Sequence, residues 1–598
     1  MPNSIDSIDR DLFPIPAAVP DSTIQYDANS LVNRTSSKRH SFLSSIPSEE
    51  LNLTASWRMK LLVLLCMLSL PVGCHFLEAT VGTLKTTLKT SMQINNTQFS
   101  ILLSSVTLVN TVLPLFAGIF IDDIHSLGPI RATTLVSCVI FLGSVLVSAG
   151  SSYNSYACMM VGQVVYGLGG GMLVTMQEGI LSRWFRDREI TIVIGLSLCV
   201  ARLTKFIAKL IAYPILNATG GNELWPIHIA TIFCACGAVI NIGYWIVMWR
   251  KGLATPTGKE IVQYQGRYKN EFGKQEKTKR EDERSYPAYV NRTAKRNFKW
   301  SYRVLLYLPS TFWMIPWVQL AMSSVLSSFD DVATEYVEFR YNTSKVMAGY
   351  QSSLTQVVPI VVAPIMGIVV HRYGKRLSTL FLATLILITS MVLLAYTWVT
   401  PAVGMIVFSF ALALGPVSLL SSTSLLLPHE LAGTGMGLHK CANNIGTTIL
   451  SVLVGYVQDL TFHDGDPHDD ITDLQTEYDG VMILYVSIAG VAVLIVFLFW
   501  FLDHKYLSGW LQADKKERDR RLEQVEIKEE NEKALYMHAN QDELDKVHKE
   551  KLEALQLIGS KLRETKTYVY LIIYVFWLIV SWGIFFAFAL MPVYQDYM

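Results

Sequence analysis

The chain has 598 residues, 51% of them hydrophobic, and a mean hydropathy of +0.33. This composition is too apolar for an ordinary soluble protein and indicates a membrane protein. The formal net charge is +1 and there is no basic patch interleaved with aromatic residues, so we expect no nucleic-acid partner. All eight cysteines lie within apolar segments and none forms a C-x-x-C pair, so we expect no disulfide framework, no metal site and no cofactor.

Apolar runs of about 20 residues, the length that crosses a bilayer, predict an all-α membrane protein. Six runs precede a polar stretch and six follow it, an arrangement typical of two parallel six-helix bundles that rock against each other. The predicted spans are residues 58–80, 99–121, 130–149, 156–181, 190–215 and 226–249, then 302–329, 346–370, 377–396, 403–427, 434–457 and 478–502.

A further run, residues 568–591, carries no charge and is long enough to span, so it predicts a thirteenth transmembrane helix, with a peripheral anchor as the alternative. The predicted organisation is a disordered cytosolic tail 1–56, an N-terminal bundle 57–250, a cytosolic linker 251–301, a C-terminal bundle 302–504, a charged cytosolic helical segment 505–566, the extra helix 567–592 and a lumenal tail 593–598.

Two features predict which ends of the helices face the cytosol. Lysine and arginine cluster in alternate short loops, which places those loops and the N-terminus in the cytosol. The glycosylation sequons at Asn95, Asn217 and Asn342 all fall in loops on the opposite side, where glycans are added. We therefore expect a glycoprotein with a lumenal C-terminus.

The fifth run contains three cations, Arg202, Lys205 and Lys209, that fall on one stripe of a helix. Ionisable groups at bilayer depth are costly unless they face a wet cavity or a partner. The stripe predicts a cavity-lining helix that binds an anionic group, with Arg202 as the principal clamp. In the alternative interpretation, Lys209 reaches the nearer interface and Lys205 pairs with a buried carboxylate.

Polar residues in other runs are candidates for the same cavity. Asparagine and glutamine amides there either bind substrate or link helices by hydrogen bonds. Glu78 could form a proton-linked pair with His75. The further predicted substrate-binding residues are Lys440, Asn443 and Asn444 in the eleventh run, Gln351 in the eighth and Glu78 in the first.

A loop motif occurs twice, after the second and the eighth run, as GIFIDD (118–123) and GIVVHRYGKR (367–376). Both copies resemble the loop signature of the major facilitator superfamily, in which a carboxylate and bases hold cytosolic helix ends together until the cavity opens inward. The gating residues predicted from this resemblance are Gly118, Asp122, Arg131, Gly367, Arg372, Gly374 and Lys375.

Several stretches resemble the lysosomal dipeptide transporter branch, named for major facilitator domain-containing protein one, over roughly residues 57–502. They are MQINNTQF (92–99), GQVVYGLGG (162–170), GLSL (195–198), GYQSS (349–353) and LPHELAGTGMG (427–437). The resemblance implies a dipeptide uniporter of the lysosomal or, in fungi, vacuolar membrane, with Arg202 gripping the peptide carboxylate. It also implies a small glycosylated lumenal partner, known for animal members, whereas the thirteenth helix lies outside it.

One position departs from the branch. Gly171 stands where branch members carry a glutamate suited to the peptide amino group, and Glu178 and Glu78 are the nearest replacements. With the extra lysines, this leaves a proton-coupled organic-anion carrier as one alternative and a membrane scaffold or nutrient sensor as another. The plasma membrane is the alternative location. Without a Walker motif or nucleophile elbow, we expect neither enzymatic activity nor ATP-driven transport.

Overall fold

The computed structural model describes residues 57–122, 129–185, 187–220, 224–250, 310–426, 432–461, 471–521 and 568–591, with Leu305, Leu308 and Gln524. The regular structure of these residues is helical, and thirteen helices are long. They are α1 Trp57–Thr83, α2 Asn96–Gly118, α3 Pro129–Ser152, α4 Tyr156–Trp184, α5 Asp187–Ala218, α6 Trp225–Arg250, α7 Thr311–Arg340, α8 Lys345–Tyr373, α9 Arg376–Tyr396, α10 Pro401–Leu426, α11 Ala432–Thr461, α12 Asp479–Tyr506 and α13 Tyr568–Met591.

Eleven of the described helices are long and apolar enough to cross a membrane by length and composition. The two long helices outside that group are α5 and α11, and α5 carries the three cations in its middle. The thirteen helices follow the predicted spans closely, with one correction. The seventh span was predicted at 302–329, but α7 runs from Thr311 to Arg340. Its last three turns hold four acidic residues, of which Asp330 and Glu335 are buried in the structure.

Each half of the bundle has its own hydrophobic core. One core joins α1 to α6, and the other joins α7 to α12. The halves meet along two seams, in which α2 packs against α11 and α5 packs against α8. This is the two-bundle fold of the major facilitator type that the sequence predicts. The predicted tail 1–56, nearly all of the linker 251–301 and most of the segment 505–566 lie outside the described residues.

Glycines bring the helices of both seams close together. Along α2 and α11, a Cβ on Gly455 would lie 2.7 Å from the Asn96 carbonyl oxygen, and one on Gly437 would lie 2.9 Å from the Leu115 Cα. Between α5 and α8, a Cβ on Gly349 would lie 3.2 Å from the Lys209 carbonyl oxygen. The halves therefore touch near both ends of the bundle.

Helix α13 packs against the α2–α11 seam and contacts both halves. The indole nitrogen of Trp582 donates a hydrogen bond of 2.9 Å to the Thr111 hydroxyl on α2. The Tyr574 hydroxyl donates one of 3.2 Å to the Leu438 carbonyl on α11. Phe585 is buried in a small apolar cluster with residues of the same two helices. These contacts identify α13 as a helix that covers one face of the bundle.

Candidate functional site

Lys209, the last of the three stripe cations along α5, pairs with Asp330 of α7. Its ammonium lies 2.7 Å from the carboxylate Oδ1 and also donates to the Asp330 carbonyl oxygen. Only 2% of the Lys209 side chain is exposed, so the pair is sealed between the two halves. Thr355 and Gln356 of α8 donate to the same carboxylate oxygen, at 2.9 and 2.7 Å. Asp330 therefore ties α5, α7 and α8 together.

We expect Asp330→Asn to destabilise the folded protein by about 3 kcal/mol, because removing one member of a buried ion pair leaves an uncompensated charge. Thermal unfolding of the detergent-solubilised protein measures the loss. The double variant with Lys209→Met should recover most of it. Asp479→Asn is the matched control: this carboxylate pairs with Arg340 but is 51% exposed, so its loss should have little effect. Equal losses in the two single variants would contradict the assignment.

Lys205, one turn away, faces Glu78 of α1. The Lys205 ammonium lies 3.4 Å from Glu78 Oε2, and the His75 ring nitrogen Nδ1 lies 3.5 Å from the same oxygen. The Tyr166 hydroxyl of α4 lies 3.4 Å from the other oxygen. The Glu78 side chain is 37% exposed, unlike the sealed carboxylate of Asp330. The structure thus brings together Glu78 and His75, which the sequence analysis proposed as a pair, and adds Lys205, whose partner is a carboxylate as in the alternative interpretation.

Arg202, predicted as the anion clamp, contacts an amide. Its Nη1 donates a hydrogen bond of 3.2 Å to the Gln356 side-chain oxygen, and the amide nitrogen of Gln356 donates in turn to Asp330. Among the described residues, no carboxylate lies within ion-pair distance of this guanidinium. A guanidinium that is always charged and can hold a carboxylate by two parallel hydrogen bonds is therefore available for a ligand.

The α11 candidates divide into paired and unpaired groups. Lys440 lies 3.2 Å from Glu178 of α4, so this ion pair crosses between the halves. Asn444 donates to the Asn110 carbonyl oxygen of α2 at 3.0 Å, which makes it an interhelical link. By contrast, the side-chain oxygens of Asn443 and of Gln351 on α8 are buried and find no hydrogen-bond partner within the described part of the chain. These two oxygens are free to accept from a ligand.

The space at Gly171 is filled by a neighbour. A Cβ on this residue would overlap the side-chain oxygen of Asn110 on α2 and lie 3.0 Å from its nitrogen. A glutamate at this position would therefore require the Asn110 side chain to move. The acid that faces Lys205 comes instead from α1, as Glu78.

At the end of the bundle predicted to be lumenal, charged and polar residues from both halves meet in what we term the lumenal network: Lys85, Lys89, Glu335, Gln458 and Tyr478. Glu335 of α7 accepts from Lys85 at 2.5 Å and from Lys89 at 3.0 Å. The Tyr478 hydroxyl donates to Glu335 at 2.5 Å, and Lys85 donates to the Gln458 side-chain oxygen at 2.7 Å. Lys85 and Glu335 are fully buried, and this burial lowers the pKa of the Lys85 ammonium while the carboxylate opposes the shift.

A second contact closes the same end. The Asp459 carboxylate of α11 accepts from the backbone nitrogens of Asn96 and Thr97, at 3.0 and 2.8 Å, and so caps the first turn of α2 across the seam. A carboxylate there satisfies free N–H groups and the positive end of the helix dipole. The lumenal network and this cap hold the halves together at one end.

The structure describes most residues of the two loop-motif copies and all three sequon asparagines. Gly374 and Lys375 follow α8. The backbone nitrogen of Lys375 donates to the Gln512 carbonyl oxygen at 3.0 Å, so the second copy of the loop motif packs against the segment after α12. Arg372 stacks over Tyr373. Gly367 lies within α8, and Gly118 lies within the helical segment Leu113–Asp122 that continues α2. Arg131 is exposed, whereas the side chain of Asp122 lies outside the described residues. The three sequon asparagines, Asn95, Asn217 and Asn342, are exposed at helix ends.

The sequence analysis missed the acids of α7 and their lysine partners. Asp331, Glu335 and Glu338 have the spacing of one helical face, as do Lys85 and Lys89. That complementary spacing is a signal that could have been used. It was hidden because the acids end an apolar run and resemble a loop.

These features define the class of protein. The chain matches the Major Facilitator Superfamily over the overlapping segments 72–451 and 331–598, and it belongs to that superfamily of membrane transporters. It is similar to the lysosomal dipeptide transporter MFSD1 of Homo sapiens, with 24% identity over 400 residues, which are 67% of this chain and 80% of the relative. The same transporter of Bos taurus is 21% identical over 467 residues, 78% and 91% of the two chains. The resemblance predicted from the motifs is confirmed.

Two solved structures share the fold. A variant of the nucleoside transporter NupG and a variant of the peptide transporter POT each align with a TM-score of 0.50 at 14% identity. The alignments cover 74% and 75% of this chain and 100% and 95% of the two structures. At this identity the likeness establishes the fold alone.

Proposed function

We propose that this protein moves dipeptides across a lysosomal or vacuolar membrane by alternating access. The observation that carries the proposal is how the buried cations are paired. Lys205, Lys209 and Lys440 each face a carboxylate, whereas the contact of Arg202 is an amide oxygen. Arg202 is therefore the cation whose charge is available for the carboxylate of a substrate.

Glu78 supplies the negative charge that binds the ammonium group of the substrate. It is partly exposed, and its contact with Lys205 at 3.4 Å is longer than the sealed Lys209–Asp330 pair at 2.7 Å. The α-ammonium of a peptide can share this carboxylate with Lys205, as two lysines share Glu335 in the lumenal network. A dipeptide carries both end charges, so Arg202 and Glu78 together select it over a neutral solute. Asn443 and Gln351 offer acceptors for its backbone N–H groups.

The pairing also argues against an organic-anion carrier. That alternative relies on unpaired lysines, but the acids Glu78, Asp330 and Glu178 neutralise the three of them. The partly exposed carboxylate of Glu78 offers a site for an ammonium group, which an organic anion does not carry. The names of the relatives support the lysosomal location, and the loop charges support a cytosolic N-terminus.

The test is dipeptide counterflow into vesicles that contain the purified full-length protein. We expect Arg202→Lys to lower the apparent affinity for a dipeptide about tenfold to a hundredfold, because a point charge cannot replace the bidentate grip on a carboxylate. A C-terminally amidated dipeptide should bind wild type and variant equally weakly. Arg250→Ala, an exposed arginine at the end of α6, is the matched control and should behave as wild type.

The other end of the substrate is tested in the same vesicles. Glu78→Gln should weaken the dipeptide and leave its N-acetylated form, which has no ammonium, at wild-type affinity. If Glu78→Gln weakens both forms alike, the acid has a structural role. If wild-type vesicles take up no dipeptide, the proposed function fails.

A further inference from the structure

The side-chain amide of Gln356 lies between Arg202 and the sealed carboxylate of Asp330. Its oxygen accepts a hydrogen bond of 3.2 Å from Arg202 Nη1, and its nitrogen donates one of 2.7 Å to Asp330 Oδ1. The reverse orientation would turn the amide N–H groups toward the guanidinium and the amide oxygen toward the carboxylate, so the two charges fix the amide. Gln356 therefore connects Arg202 to Asp330 without forming an ion pair with the arginine.

The backbone of Gln356 is held at an irregular point of α8. Leu354–Gln356 form one 3₁₀ turn, and Pro359, a few residues further on, has no N–H to donate to the preceding turn. The backbone nitrogen of Val358 donates a hydrogen bond of 3.0 Å to the Ser409 hydroxyl of α10. This contact anchors the turn to α10, so the C-terminal half holds the Gln356 amide in place.

Arg202 and Gln356 differ in exposure. Gln356 has no exposed surface, whereas Arg202 is half-buried, so any contact with a ligand falls on the arginine and not on the amide behind it. The bond to Gln356 uses one of the five N–H groups of the guanidinium, and a neutral amide leaves the positive charge in place. A glutamate at position 356 would instead form an ion pair with Arg202 and occupy it.

We propose that Gln356 is a positioning residue of the substrate site. The inference rests on the proposed function, in which Arg202 binds the carboxylate of a dipeptide. A free arginine side chain loses rotational freedom when it binds a ligand, and one that a neighbour already holds loses less. Gln356 thus orients Arg202 for the substrate carboxylate and, because it is neutral, does not compete with that carboxylate for the charge.

The experiment measures dipeptide counterflow with variants of the full-length protein in vesicles. Gln356→Met keeps the length of the side chain and removes the acceptor, so we expect about fivefold weaker apparent affinity, the cost of ordering a free side chain. Gln356→Glu should weaken the dipeptide about a hundredfold, because the ligand must displace a buried acid. A C-terminally amidated dipeptide, which lacks the carboxylate, should bind both variants as it binds wild type.

Thr355→Val is the matched control. The Thr355 hydroxyl donates to the same Asp330 oxygen at 2.9 Å and is as buried as Gln356, but it does not hydrogen-bond Arg202. We expect Thr355→Val to lower the thermal unfolding temperature as Gln356→Met does and to keep the wild-type affinity for the dipeptide. If Thr355→Val weakens the dipeptide equally, or if the Gln356 variants weaken the amidated dipeptide as well, Gln356 only supports the fold and the inference is overturned.

A second measurement does not depend on transport. Phenylglyoxal modifies the guanidinium nitrogens of arginine, and mass spectrometry gives its rate at Arg202. Release of Nη1 should make the reaction about fivefold faster in Gln356→Met, the share of one hydrogen bond, and the ion pair should make it slower in Gln356→Glu. Equal rates in wild type and both variants would refute the hold on Arg202. If the rates change as expected but wild-type vesicles take up no dipeptide, the positioning of Arg202 stands and the proposed function fails. If Gln356→Met does not fold, Gln356→Glu carries both tests.

Discussion

Replacing Glu335 by glutamine should open the lumenal end of the protein. Glu335 is the carboxylate of the lumenal network and faces two lysines, Lys85 at 2.5 Å and Lys89 at 3.0 Å. Glutamine preserves the shape but removes the negative charge. Lys85, which has no exposed surface, then loses its ion-pair partner and keeps only Glu477 as a nearby counter-charge. Breaking a buried pair in this way costs about 3 kcal/mol, and separation of the halves relieves it by admitting water.

Hydrogen–deuterium exchange measures that opening at each end of the bundle. Because exchange follows the free energy of local opening, we expect about a hundredfold faster exchange in peptides from 85–97 and 455–461. Peptides from 110–118 and 434–441, at the other end of the same seam, should be unchanged or better protected. Faster exchange along the whole seam would indicate global destabilisation.

A compensated variant separates charge from packing. Adding Lys85→Met and Lys89→Gln to Glu335→Gln removes the unpaired cations, so the triple variant should regain most of the protection. If it exchanges as fast as Glu335→Gln alone, the network closes the lumenal end by shape rather than by charge. The proposed alternating access requires a closed lumenal end while the cytosolic end opens, so Glu335→Gln should also slow the proposed dipeptide counterflow.

The helices of this protein could be predicted well, and the pairing of its charges could not. Apolar runs fix where a chain crosses a bilayer, and only α7 was misplaced, because its final turns hold acids. Those acids are tolerated at depth because cations from distant segments meet them. Lys209 and Asp330 are separated by 121 residues, and the local sequence around either residue does not indicate the other as its partner.

For the candidate site, too, the residues could be predicted from the sequence but their contacts could not. The sequence singled out Arg202 and Lys205 from their common helical stripe, and Glu78 and Lys440 as charged residues within apolar runs. The structure places all four between packed helices. The sequence could not show that carboxylates already neutralise Lys205 and Lys440. Nor could it show that Asn110 occupies the space beside Gly171, because that contact depends on how closely α2 approaches α4.

Replacing either of two glycines in the α2–α11 seam by alanine should push the halves apart, each at a different end of the bundle. A Cβ on Gly455 would lie 2.6 Å from the Ser100 Cβ, near the lumenal end, and one on Gly437 would lie 2.9 Å from the Leu115 Cα, near the cytosolic end. Interior packing absorbs such overlaps only by moving a helix. Gly455→Ala should therefore favour the lumen-open state, and Gly437→Ala the cytosol-open state.

Exchange and transport together test these two substitutions. With Gly455→Ala, exchange should rise at 455–461 and fall at 434–441, and Gly437→Ala should give the reverse pattern. Each variant should slow the proposed dipeptide counterflow, since alternating access requires both ends to close in turn. Gly583→Ala on α13 is the matched control, because a Cβ there meets nothing within 4 Å. Identical exchange patterns in the two seam variants would contradict a rocking motion about this seam, whereas opposite patterns place the fulcrum between Gly437 and Gly455.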